Sequence, residues 1–309
     1  MKQKISIFAS AKLNLFLEVG TKAPDDYHDL KTIFLSIDCF DHLYFDFTKS
    51  SENSEKCKIT IESSNGPYKD LLPLDKSNLI YKAAKLFNDQ TQFKGFELQV
   101  KIDKKIPIAG GLAGGSADAA ATLRALNYFY GDPVAQSELL SLARQLGSDV
   151  PFCLLGGCML GTGRGDQLIR LPFVEELFFI IVIPPSEVRL TAREVYQQFD
   201  VLSPLSPQKD VSIEKFIEIL LTKKADTGKY LFNSLEEAVI SKSFWVDEVK
   251  SFIDSRGFRS LVSGSGPTVF TMSPNHHQAI NLQNELNLKG YNAVIHRPTA
   301  EAFQMIVHE

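Results

Sequence analysis

Pro107-Ile108-Ala109-Gly110-Gly111-Leu112-Ala113-Gly114-Gly115-Ser116-Ala117-Asp118 is the stretch on which the reading of this chain turns. Before it, Phe96, Leu98, Val100 and Ile102 alternate with Glu97, Gln99, Lys101 and Asp103, the period of a half-buried strand. After it, Ala117 through Phe129 carries three consecutive alanines and apolar Ala120, Leu123 and Leu126, which predicts a helix. Four glycines in the six residues 110–115 let the backbone approach a ligand and turn its N–H groups inward. The start of the helix adds unpaired N–H groups and the positive end of its dipole. Together they describe an anion site suited to a di- or triphosphate, with the Ser116 hydroxyl at the junction for a phosphate or for Mg²⁺. The run lacks the Lys-Ser/Thr of a Walker loop and the glycine spacing of a dinucleotide fold. His-Arg-Asp and Asp-Phe-Gly, the marks of a protein kinase, are absent from the sequence.

Composition sets the frame for this site. At about 150 residues per domain, 309 residues predict two domains. With 44% hydrophobic and 23% charged residues the chain can build a core without disulfide or metal staples. A formal net charge of −4 supplies no field for a polyanion, so nucleic acid is not an expected partner, whereas a small phosphorylated ligand in a local pocket is. Cys39, Cys57, Cys153 and Cys158 form no Cys-x-x-Cys pair and have no histidine at zinc-site spacing, which predicts free thiols in a reducing compartment. Lys2 and Lys4 before Ile5-Ser6-Ile7-Phe8 imitate a secretion signal, but the apolar stretch is much shorter than the roughly 7–15 residues one needs. The longest apolar run, Leu177 to Ile183, stops at Pro184-Pro185 and cannot span a bilayer. A cytoplasmic protein with no membrane partner is expected.

Outward from the glycine run, residues 12–19 alternate as a strand, with Lys12 and Asn14 on one face. Ala23 to His28 reads as a turn before apolar Ile33 to Ile37, and the polar stretch 48–57 as a surface loop. Ser137 to Leu146 reads as a helix started by serine and ended by Gly147. A buried strand at 177–183 opens a second unit. A loop at 203–207 and helices near 212–222, 234–241 and 245–255 follow, then strand–turn–strand over 260–270. A helix from Asn275 and a strand at 293–296 close it. Strands and helices mix without strict alternation, so the expected class is α+β, with domains at 1–168 and 169–309. Asp149, just beyond the helix ended by Gly147, reads by itself as a turn or helix-cap aspartate.

Five segments together resemble the GHMP small-molecule kinases. Pro107 to Ala121 resembles the family's second motif, and Val262-Ser263-Gly264-Ser265-Gly266-Pro267 its C-terminal glycine motif. Ala11-Lys12-Leu13-Asn14-Leu15, Tyr27-His28 and Leu146-Gly147-Ser148-Asp149-Val150-Pro151 resemble the branch acting on a cytidine diphosphate-linked methylerythritol, an isoprenoid precursor of the non-mevalonate route. The resemblance implies a two-domain fold with the cleft between the domains, ATP as phosphoryl donor, Mg²⁺ with it, and transfer to the substrate's 2-hydroxyl. It implies Asp149 as base and Lys12 as its charge partner, with Asn14, Tyr27, His28, Ser263, Gly264, Ser265 and Gly266 on the substrate. The nucleotide falls to Lys104, Pro107, Gly110, Gly111, Leu112, Ala113, Gly114, Gly115 and Ser116. No acidic Mg²⁺ ligand besides Asp149 stands out. Asp26 replaces the branch's usual glycine, and Ala113 and Ala117 replace frequent glycine and serine. Homoserine- or mevalonate-type kinases, and a ligand sensor without turnover, are the alternatives.

Overall fold

The computed structural model describes residues 2–24, 26–49, 57–64, 66–93, 95–202, 212–222 and 224–308. The loop expected at 203–207, and residues 50–56 of the one at 48–57, lie outside the described residues. In the first half the elements are β1 (Lys2–Lys22), β2 (His28–Lys49), β3 (Lys58–Ser63), α1 (Leu79–Gln90), β4 (Phe96–Asp103), α2 (Gly114–Phe129), α3 (Gln136–Leu146), α4 (Val150–Leu155), β5 (Cys158–Thr162) and β6 (Gln167–Arg170). The second half adds β7 (Phe178–Ile183), α5 (Ala192–Leu202), α6 (Ile213–Thr222), β8 (Phe232–Asn233), α7 (Glu236–Ile240), α8 (Phe244–Asp254), β9 (Ser260–Val262), β10 (Val269–Ser273), α9 (His276–Leu288), β11 (Asn292–His296) and β12 (Phe303–His308). The class is α+β.

β1 and β2 form a long antiparallel hairpin, the spine of an eight-stranded sheet ordered β12-β1-β2-β4-β3 with β5, β6 and β8 at its flanks. The alternation at residues 12–14 is a true strand pattern, but register shifts between Ser10 and Ala11 and between Asn14 and Phe16 break it on either side. Phe16, expected on the same face as Lys12, is therefore fully buried against a different part of the core. A second sheet, β11-β7-β10-β9, carries the strand–turn–strand expected over 260–270. Its central strand β7 is buried on both faces, which accounts for its unbroken run of apolar residues.

α2 lies against β1 and β2 and is flanked by α1, α3 and α4. Crowding from every side explains its alanines: Ala117, Ala119, Ala120, Ala121 and Ala125 are all fully buried, and larger side chains would not fit. α3 begins one residue earlier than expected. Its cap is Ala135, with no side-chain cap bond, so Ser137 does not start the helix as its sequence position suggested. The four cysteines are free, and burial pushes the thiols of Cys39 and Cys158 up to about 12, so they stay protonated. No described helix is long and apolar enough to cross a membrane.

The two halves meet on β1. β8 pairs with it in parallel at Phe16 and Leu17, and β12, a strand without a distinct sequence signal, returns to pair with Lys4 to Ala9. The Phe16 ring lies 5.3 Å from Phe216 of α6 and 5.2 Å from Phe232 of β8, so one side chain joins sheet, helix and crossing strand. Phe16→Ala is expected to cost about 3–5 kcal/mol, read as a lowered urea midpoint; an unchanged midpoint would refute this joining role.

Candidate active site

A cleft of about 1100 Å³ runs between the glycine loop, the hairpin end of β1–β2, α5 and the 264–266 turn. At its loop end α2 starts at Gly114, three residues earlier than expected, because Ala113 takes a left-handed conformation (φ 59°) that turns the loop straight into the helix. Ala109 (φ 55°) does the same, at a cost of about 1–2 kcal/mol each that glycine would avoid. α2 has no side-chain cap, and its first intrahelical N–H donor is Ala117. The N–H groups of Gly114, Gly115 and Ser116 are thus left for a ligand, and all three residues line the cleft.

Gly111 is where three distant segments converge. Its carbonyl accepts from Lys12 Nζ and from Ser263 Oγ, both at 3.0 Å. A Cβ on Gly111 would stand 2.1 Å from the Ser263 carbonyl oxygen, so this close approach requires glycine. Lys12 is nearly inaccessible and its ammonium also donates to Asn14 Oδ1 at 2.5 Å. Asn14 in turn donates to Thr32 Oγ1 (2.8 Å), and Thr32 donates to the Phe16 carbonyl (2.8 Å). A buried ammonium is costly unless a carboxylate balances it, and Asp149 Oδ2 lies 3.7 Å away. Asp149 occupies the cap position of α4 but makes no capping bond. Its carboxylate, about a third exposed, faces Lys12 and the cleft instead.

Beneath the loop sits a second charged group. Lys104 Nζ bridges Asp41 and Asp118, the latter at 2.6 Å, and all three side chains are buried. Asp41 Oδ1 also accepts from the backbone N–H of Lys105 (2.7 Å) and Ile106 (2.9 Å). Two carboxylates share one ammonium out of water. Burial, reinforced by the Asp41 charge, outweighs the pull of Lys104 and holds the Asp118 carboxyl well above the usual carboxylate range.

At the far end Tyr27 is more than half exposed, with the Arg164 guanidinium 3.9 Å over its ring. Asp26 adopts φ 66°, so the turn keeps the left-handed geometry for which glycine is usual. His28 Nδ1 donates to the Gly20 carbonyl at 3.0 Å, and its ring lies 5.6 Å from that of Tyr196 on α5.

Residues 78–157 match the family described as GHMP kinases N terminal domain, and residues 216–292 match GHMP kinases C terminal. The 4-diphosphocytidyl-2-C-methyl-D-erythritol kinase of Corynebacterium glutamicum (strain R) is 37% identical, over 92% of this chain and 89% of its own length. The chain belongs to this kinase family, within the GHMP kinases. The protein of the same name from Clostridium botulinum (strain Eklund 17B / Type B) is 36% identical over 86% of this chain and 90% of its own. A crystal structure of 4-(cytidine 5'-diphospho)-2C-methyl-D-erythritol kinase superposes with a TM-score of 0.73 at 28% identity, covering 96% of this chain and 99% of that one. A homoserine kinase from Cytophaga hutchinsonii has a TM-score of 0.74 at 18% identity over 98% of this chain and 97% of its own, which shows a shared fold. The protein is thus an ATP-dependent small-molecule kinase.

In this kinase Lys12, Asn14, Tyr27, His28, Pro107, Gly110, Gly111, Ala113, Gly114, Gly115, Ser116, Asp149, Gly264, Ser265 and Gly266 all line one cleft. Leu112 and Ser263 do not: Leu112 is packed in the core, and Ser263 is buried with its hydroxyl given to Gly111. Lys104, expected at the nucleotide, also lines the cleft, with its ammonium held by the two aspartates under the loop. Sequence reasoning missed Thr32, Asp41, Asp118, Arg164, Tyr196 and Asp200, which touch the site or its supports. Tyr196 and Asp200, four residues apart on one face of α5, carry the only periodic cue among them.

Lys104→Met should destabilise the kinase by about 3–5 kcal/mol by stranding buried carboxylates, measured by chemical denaturation; a shift under 1 kcal/mol would contradict the pairing. Because the Asp118 carboxyl is raised on folding, its contribution is complete below the unfolded carboxylate range and is lost as pH rises through its folded value. Asp118→Asn should therefore flatten the fall in stability with rising pH across that window, as read from melting temperatures in a pH series.

Proposed function

We propose that this kinase transfers the γ-phosphoryl group of ATP to the 2-hydroxyl of 4-diphosphocytidyl-2-C-methyl-D-erythritol, in the cytoplasm, as a step toward isoprenoid precursors. The observation that carries the reading is the Lys12–Asp149 pair, 3.7 Å apart in a cleft whose ends carry free helix N–H groups and an aromatic, hydrogen-bonding wall. The relatives' names supply the substrate; the pair supplies a chemistry. Residues 1–168 carry the loop and the pair, and residues 169–309 close the cleft with α5 and the 264–266 turn.

Phosphoryl transfer of this kind rests on positioning and on neutralising charge. Asp149 stays available because it caps nothing, and with Lys12 beside it the carboxylate is the group that accepts the hydroxyl proton. As that proton moves to Asp149, the hydroxyl oxygen bonds to the γ-phosphorus and the bond to ADP breaks. Asn14, with both amide ends engaged by Lys12 and Thr32, holds the ammonium in place as much as it meets substrate. The N–H groups of Gly114 to Ser116 receive nucleotide phosphates without a basic surface, which reconciles phosphate binding with a net charge of −4.

Mg²⁺ fits as an ion carried in by the nucleotide. No group of three His, Cys, Asp or Glu side chains able to hold a metal exists among the described residues, whereas the Ser116 hydroxyl and the Asp149 carboxylate are oxygen donors on the cleft wall. Bound there with ATP, it would neutralise charge on the transferred group.

Asp149→Asn is expected to keep ATP binding and lose about 10²–10⁴-fold in turnover; a folded variant of full activity would remove Asp149 from the role of base. An ADP-release assay on the wild type should show turnover with the cytidyl substrate and none with homoserine or mevalonate. Turnover of either of those in place of the cytidyl compound overturns the substrate assignment.

A further inference from the structure

Asn233 has no part in the chemistry described so far, yet its buried amide stands between β1 and the Ser263 turn. It lies on β8, which pairs with β1 at Phe16 and Leu17, directly past the register shift that follows Asn14. Ser234 fixes that docking: its N–H donates to the Leu17 carbonyl (2.8 Å), and its Oγ accepts from the Val19 N–H (3.1 Å). From this anchored position Asn233 Nδ2 donates to two carbonyls, those of Val262 and Gly264, both at 2.8 Å. Its Oδ1 accepts from the Leu235 N–H at 2.9 Å, so both ends of the amide are engaged. A carboxylate of the same shape would face the two carbonyls with acceptors alone.

The two carbonyls bracket Ser263. Its Oγ donates at 3.0 Å to the Gly111 carbonyl, which also receives Lys12 Nζ at 3.0 Å. Gly264 packs directly on this group, since a Cβ there would stand 3.1 Å from both Lys12 Nζ and Asn14 Oδ1. Glu236, paired at 3.0 Å with buried Lys250, accepts from the Val262 N–H at 3.1 Å. Residues 233–236 therefore grip β1 with one side chain and the turn with two.

We propose that Asn233 is a positioning residue for phosphoryl transfer: it sets the 262–264 turn against β1 and so fixes the Lys12 ammonium that faces Asp149. The inference rests on the Lys12–Asp149 reading given above. Asn233 does not line the cleft, so its effect passes through Ser263 and Gly111. It makes no contact with the N–H groups of Gly114 to Ser116 that receive the nucleotide. A displaced turn therefore shows in turnover and not in ATP affinity, and a misplacement on the order of 1 Å costs as much as about 10²-fold.

The test measures ADP release with ATP and the cytidyl substrate in Asn233→Ala, Ser263→Ala and the double variant, each checked for folding by its melting temperature. Asn233→Ala is expected to lower kcat by about tenfold or more, with KM for ATP within about twofold of wild type. Because both residues act through one carbonyl, the double variant should lose no more kcat than the worse single variant. Multiplying losses, or a raised KM for ATP with kcat unchanged, overturn the proposal. If Asn233→Ala does not fold, Ser263→Ala decides: a lowered kcat with KM for ATP kept supports the relay, and an unchanged kcat overturns it. Full activity in Asp149→Asn removes the reading on which this rests; loss there, with none in folded Asn233→Ala, overturns this inference alone.

Discussion

The ammonium of Lys104 is the point on which the geometry of the nucleotide end depends. It ties Asp41 of the hairpin spine to Asp118 in the second turn of α2, and it sits at the end of β4, directly before the glycine loop. Sheet, loop and helix are thus fixed to one another at a single buried charge. Such a cluster need not be more stable than an apolar core of the same shape, since three ionisable groups give up their hydration. What it does supply is direction. The Asp41 carboxylate takes the N–H groups of Lys105 and Ile106, so the chain enters the loop at a set angle and α2 emerges with its first N–H groups aimed into the cleft.

A second convergence completes the site. Lys12, Gly111 and Ser263 come from the first strand, the loop and the second sheet, and meet within hydrogen-bond distance at one carbonyl. Any shift of the second sheet therefore moves Gly111, and with it the ammonium facing Asp149. Asp149 gains its freedom from a local defect: it stands at the start of a short helix and leaves that helix uncapped. A side chain that would ordinarily serve structure is released for chemistry.

Much of this was legible from residue order. Alternation at 96–103 and 12–14, the alanine-rich α2, the apolar β7 and the Asn275 cap each depend on neighbours a few residues away, and each stands as read. Where tertiary contacts overrode local signals, the reading slipped. A serine three residues into a run of helix formers looks like a cap, yet Ala135 takes that place. Bulges in β1 turned Phe16 into the core against the expected alternation. Lys104 precedes the loop and lines the cleft as expected, but the two partners that hold its ammonium, 63 and 14 residues away in sequence, left no local signal.

The sequence by itself determined the strand–glycine–helix unit, the α+β class and the set of residues from which a phosphate cleft is built, because these follow from short-range periodicity and backbone freedom. Only the tertiary structure decided which of those side chains face the cleft and which brace it. Lys12 and Lys104 have the same chemistry and lie in similar strand contexts, yet one confronts a carboxylate about a third exposed and the other two buried ones. Burial and partner geometry, set by chain segments far apart in sequence, separate the two.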